Sequence, residues 1–430
     1  MQKRPDKYPG GNITDTGDDT GGFSPGKQTF SSFKNPVYLI YYGALLCQMA
    51  AMNMQMLTRY YLLYDLTGSA LTLGYMSLAN ALPMLLLSLF GGAIADRVQK
   101  KYVMLVGQAC SAVVSLGIAF ALVVGYLSFE HPGSWWILVV ASVFQGTIMG
   151  LMMPSRQAIL PEIVGEDNLM NAVSLNSMGT NILRIMAPAL TGRLIDSVGY
   201  AAVYFVTTGM YILAVAFVIF LPLTSTISIR GGGALTSIKE GLQYLRHKTT
   251  ILLILVFILF AVVLSMPYQL LMPIFAKDIL KVGATGMGDL ITASGVGAII
   301  TSIVLASLPN RKRGLMLIAS CLIMSLALMA FSFSSTWYLS LGVIVFVGLG
   351  STGRMTLGNT LIQYYVDDDY RGRVMSIYMM EFGLVSFGTF AAGVMAESMG
   401  VQWVVGGFAA TLFVIALLVM VFVPRIRNLD

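Results

Sequence analysis

Glu381 stands inside an otherwise uncharged apolar stretch, "SIYMMEFGLVSFGTFAAGVMA" (376–396). A carboxyl group so placed can take up and release a proton as its surroundings change, and ionisable groups among apolar runs of this length mark function by default. Two readings stand. Glu381 couples proton entry to the movement of something else, or it is hydrogen-bonded in place and fixes packing. Asp289 is a second, weaker proton-coupling candidate, since it falls near the end of its apolar run. Arg184 interrupts another such run. It would anchor an anionic group of a ligand or tune a nearby acid; alternatively, it pairs with backbone carbonyls or an acid for structural reasons. Arg354, near the end of its run, is expected to snorkel towards the headgroups.

These residues matter because of the runs that carry them. The chain of 430 residues is 57% hydrophobic and only 11% Asp, Glu, Lys or Arg. A soluble domain carries roughly 25% charged residues, so the fold expected is all-α and membrane-embedded. A spanning helix needs about 20 mostly apolar residues, and twelve segments qualify: 36–58, 69–95, 102–127, 134–156, 170–196, 199–222, 249–271, 283–308, 314–333, 336–359, 371–397 and 401–424. Short alternating segments, the mark of a transmembrane barrel, are not seen. Residues 1–35, polar and rich in Gly and Asp, read as a disordered cytoplasmic tail without the apolar core of a signal peptide.

With the N-terminus inside, 20 of the 26 basic residues fall on inner tails and loops. Arg59, Arg193, Lys277 and Lys281 fall outside, and Arg184 and Arg354 within spans. The positive-inside rule thus favours two cytoplasmic termini. The net charge of +6 sits in loops facing anionic lipid and implies no nucleic acid. Cys47, Cys110 and Cys321 are scattered, and both histidines lie in loops, so neither a disulfide framework nor a metal site is expected. No phosphate-cradling GxxxxGK[ST] is present. No cofactor is implied, nothing reads as an enzyme, and a monomer is expected.

The chain repeats itself. Shifted by about two hundred residues, "FQGTIMGLMM" (144–153) falls on "FVGLGSTGRM" (346–355), and Gly192, Asp196, Ser197 and Gly199 fall on Gly393, Glu397, Ser398 and Gly400. Two six-helix bundles, 36–222 and 249–430, related by a pseudo-twofold axis, are expected to enclose a binding site. The linker, 223–248, contains a helix with Ile238, Leu242 and Leu245 on one face. It reads as an amphipathic helix on the inner membrane surface, or as a plain tether.

"GGAIADRVQKK" (91–101) follows the second span. It resembles the signature loop of the major facilitator superfamily through Gly92, Asp96, Arg97, Lys100 and Lys101, with Gln99 where that pattern has glycine. Longer stretches, "YDLTGSALTLG" (64–74), "SRQAILPEIVGEDNLMNAVSLNS" (155–177) and "NTLIQYYVDDDYRGRVMSIY" (359–378), resemble the facilitator branch of the enterobactin exporter and macrolide efflux proteins. The resemblance implies alternating access in a bacterial inner membrane. Asp96 would pair with Arg371 and Arg373, and Asp367, Asp368 and Asp369 with Arg97, Lys100 and Lys101, as a cytoplasmic latch. The alternative is that the basic residues only set orientation. "APALTG" (187–192) resembles a degraded exporter motif, retaining Pro188 and Gly192. Ser142 stands where proton-coupled drug exporters often carry an arginine. In this fold the first, fourth, seventh and tenth spans line the cavity, offering Gln48, Asn53, Gln55, Gln145, Tyr268, Gln269 and Thr352, with abundant pliable methionines. The function expected is proton-driven export of a drug, antibiotic or siderophore, with protons and lipid as partners. The alternatives are a uniporter or importer, and a scaffold or sensor with little flux.

Overall fold

The structure, a computed structural model, describes residues 31–223, 234–308, 311–367 and 370–429; the side chains of 89–97, 166–167, 234–239 and 382 lie outside the description. Every described element is helical. Span 1 is Pro36–Thr67, span 2 Ala70–Arg97 and span 3 Lys100–Val123. The next helical run, Trp136–Ile219, is interrupted where Gly165 (φ 72°, ψ 171°) and Gly199 (φ 82°, ψ 175°) leave helical geometry. A side chain is strained at such positive φ, so glycine is the residue that lets the chain reverse there. The breaks give span 4 (136–164), span 5 (168–198) and span 6 (200–219).

The linker helix is Ala234–His247. Span 7 (Thr249–Ile279) is irregular, with prolines 267 and 273 and a π turn at Phe275–Ile279. Span 8 is Gly283–Ser307, span 9 Arg313–Ser332, span 10 Trp337–Tyr365, span 11 Arg371–Met399 and span 12 Val401–Phe422. Eleven described helices are long and apolar enough to cross a membrane, and one of them, Asn168–Ile219, is the pair broken at Gly199. The twelve spans expected are therefore present, in two six-helix halves. Gly400, which the repeat matches to Gly199, also has positive φ (83°) and separates spans 11 and 12.

An even number of spans puts both ends of the chain and the linker helix on one face, here the terminal face; the opposite is the far face. Two boundaries differ from expectation. Span 1 runs on to Thr67 because Arg59, Tyr61 and Tyr64 are buried by neighbouring spans, which a window of hydropathy cannot register. Part of the expected tail is ordered: Ser31–Lys34 forms a 3₁₀ turn, and the Ser32 amide donates to Asn171 on span 5 (3.1 Å). Residues 1–30 lie outside the described residues.

The linker helix is docked, not free. Arg373 at the start of span 11 pairs with Glu240 (2.9 Å), and Lys248 with Asp367 (3.1 Å). The Tyr244 and Tyr370 rings stack at 4.3 Å, with Arg373 over the outer face of Tyr370. Tyr244 and Leu245 are buried, whereas Leu242, expected on the same face, is exposed. Asp367 and the aromatic pair thus fix the helix's rotation.

Candidate functional site

Span 11 carries its acid one residue after Met380, where the backbone stays helical (φ −64°, ψ −19°). Glu381 is 7% exposed, beside Tyr378 from the previous turn and the guanidinium of Arg354 from span 10. Arg354 does not snorkel; it is 3% exposed, and its Nε and Nη1 have no hydrogen-bond partner in the structure. Glu381, Arg354 and Tyr378 therefore form one buried constellation in the second half. A proton on or off Glu381 would change the charge seen by Arg354, and with it the electrostatics between spans 10 and 11.

Arg184 has two readings, a ligand anchor or a structural pairing. It is exposed at mid-length of span 5 and has no ion pair among the described residues. A mid-span cation is retained where it faces a water-filled space. Of the expected cavity residues, Gln48, Gln55, Gln145 and Tyr268 are buried, Asn53 and Thr352 half-buried, and Gln269 exposed. Asn53 spends its amide on the Met49 carbonyl one turn back (2.8 Å), and Gln48 faces the Met152 sulfur (3.6 Å).

The far face holds contacts that sequence reasoning did not propose. Asp65 at the end of span 1 pairs with Lys277 of span 7, and the Tyr64 hydroxyl donates to Asp278. Asp289, the weaker proton-coupling candidate, pairs with Arg193 of span 5 (3.2 Å). Two further acids cap helices of the opposite half. Asp196, ending span 5, accepts from the Thr285 amide at the start of span 8 (2.8 Å). Glu397, ending span 11, accepts from the Leu71 amide (3.3 Å) and the Ser69 hydroxyl (3.0 Å) at the start of span 2. A carboxylate on a helix N-terminus meets free amides and the positive end of the dipole. These are the acids the internal repeat aligned. One turn inward, a side chain at Gly192 would strike the Ala284 carbonyl, and one at Gly393 would crowd the Ala70 carbonyl. The glycines let the halves close on each other. Pro188 contributes its carbonyl to the same seam, against Gly288.

At the terminal face, three of the expected latch residues have other partners. Lys100 pairs with Glu162 of span 4, and Lys101 bonds the Ile219 and Leu221 carbonyls that end span 6 (2.7 and 2.5 Å). Arg373 pairs with Glu240 of the linker helix. The side chains of Gly92, Asp96 and Arg97, and residues 368–369, lie outside the described residues; Arg371 is engaged in the structure. In this conformation both lysines are held within their own half. Among the described residues no group of His, Cys, Asp and Glu could hold a metal ion.

Residues 27–430 match the model of the transmembrane secretion effector family. The chain belongs to that family. It is 25% identical over 372 residues to the staphyloferrin A transporter of Staphylococcus aureus, covering 86% of this chain and 90% of the relative. It is 23% identical to macrolide efflux protein A of Streptococcus pyogenes, covering 94% and 99%. In fold it is similar to a bacterial homologue of the human lysosomal transporter Spinster, solved in an inward-facing, unoccupied conformation. The TM-score is 0.70 at 12% identity, covering 94% of this chain and 98% of that one. This family member is thus a multi-pass membrane transporter of the major facilitator superfamily and not an enzyme, as the motif loop implied.

Proposed function

We propose that the protein exports a hydrophobic or amphipathic small molecule by alternating access, driven by proton entry. The family and the efflux relatives support export. The observation that carries proton coupling is Glu381: a buried carboxyl beside a buried arginine, within a helix long and apolar enough to span a membrane. The terminal face is read as cytoplasmic, in a bacterial inner membrane, on the distribution of Lys and Arg. The Asp196, Glu397 and Asp65 contacts then close the external side, and Arg184 faces the space open to the cytoplasm, where it would meet anionic or polar groups of the cargo. The inner latch through Asp96 belongs to the other half of the cycle.

The test is reconstitution in liposomes with an imposed proton gradient, following efflux of dyes and antibiotics. Gradient-dependent export that disappears in Glu381→Gln supports the reading. Export indifferent to both gradient and substitution rejects the coupling, and no movement of any solute rejects export.

A further inference from the structure

Arg59 carries a charge that the transport reading does not use. Expected on the outer surface, it is 6% exposed, two turns inside the far end of span 1. Its Nη1 donates to the Ser142 hydroxyl of span 4 (3.1 Å). Around it stand Gln55 one turn away, Gln145 of span 4, and Tyr204 and Tyr211 of span 6, each no more than 7% exposed. The Tyr211 hydroxyl donates to Gln55 Oε1 (3.1 Å).

The polar groups here do not close on themselves. Arg59 Nε and Gln55 Nε2 are buried without a hydrogen-bond partner, as is Gln145 Oε1; the Tyr204 hydroxyl lies against the Arg59 guanidinium, its own proton given to no acceptor. Arg59 makes no ion pair among the described residues. The acid next along span 1, Asp65, is engaged by Lys277 and by the Tyr200 hydroxyl. A buried charge without a counter-charge costs several kcal/mol, and buried polar groups are ordinarily satisfied. Three unpartnered donors beside an uncompensated cation ask for a negative charge.

We infer that spans 1, 4 and 6 of the first half form a binding site for one small anion, a halide or a carboxylate group, held by Arg59 Nε, Gln55 Nε2 and the Tyr204 hydroxyl. Such an anion would neutralise Arg59, tie the three spans together, and make the stability of the first half depend on anion identity.

The experiment follows the thermal unfolding midpoint of the purified full-length protein in nanodiscs. Sodium chloride or sodium acetate replaces sodium gluconate, whose anion is bulkier, at constant ionic strength. A ligand bound only by the folded state raises the midpoint saturably. A saturable rise of several degrees with chloride or acetate, lost in Arg59→Gln, is expected. Saturation by chloride assigns a halide, and saturation by acetate alone assigns a carboxylate. A midpoint indifferent to the anion, or a rise undiminished in Arg59→Gln, overturns the site. Should Arg59→Gln fail to fold, Tyr204→Phe decides: a several-fold weaker titration supports the site, and an unchanged one rejects it.

Discussion

The two halves of the transporter share a scaffold and differ in their interiors. Gly199 and Gly400 turn the chain at the same point, Gly192 and Gly393 admit a neighbouring backbone, and Asp196 and Glu397 cap the opposite half's helices. The buried chemistry does not repeat. In the first half Arg59 is buried among amides and hydroxyls; in the second, Glu381 lies beside Arg354. What the halves hold in common serves closing against each other, which is a symmetric task. What they do not share would serve the proposed binding and coupling, which need only one copy.

The largest effect should come from removing the group that has no counterpart. Glu381→Gln is expected to reduce proton-driven efflux in liposomes to background while leaving the protein folded, since the amide keeps the shape. Should efflux persist at more than a tenth of its rate, the division of labour between the halves is wrong. Next is the shared seam. Gly192→Leu places a side chain where the Ala284 carbonyl lies; overpacking of this kind costs about 1–3 kcal/mol. It should shift the protein away from closure at the far face, seen as increased labelling of cysteines placed there. Gly393→Leu should do the same, and an effect at only one glycine would show that the seam is not symmetric in energy.

A smaller change is expected from Asp196→Ala or Glu397→Ala. Each removes a cap worth about 1 kcal/mol, roughly a fivefold change in the ratio of open to closed far face, measurable by distances between spin labels across spans 2 and 11 or 5 and 8. The two caps are separate, so the double substitution should multiply these factors. The smallest effect concerns the linker helix. The Lys248 ammonium is held above its ordinary range by its hydrogen bond to Asp367. A raised lysine contributes below its unfolded value and loses that contribution as pH rises through the folded one. Protection of the 234–247 amides, taken relative to their intrinsic base-catalysed exchange rates, should therefore be steady through neutral pH and fall only beyond the ordinary lysine range.

Much of the architecture was legible in the chain. Length of apolar runs gave the twelve spans, and the repeat paired Asp196 with Glu397 before their roles were apparent. What the sequence could not show was the rotation of helices. Arg184 and Arg59 both interrupt or flank apolar runs, yet one is exposed at mid-span and the other buried. Hydropathy counts a charge and not its partner, so Arg59 was assigned to the surface and span 1 ended early. The partners of Lys100 and Lys101 were similarly invisible: Glu162 and the end of span 6 are 60 or more residues away.

The docking of the linker helix onto span 11 has a practical corollary. Because Tyr244, Glu240 and Lys248 are fastened to the later half, a gene divided ahead of Ala234 would leave that helix with its own polypeptide. Two separately translated pieces, 1–233 and 234–430, should then reassemble into a working carrier, whereas a division after His247 would strand the helix on the wrong fragment.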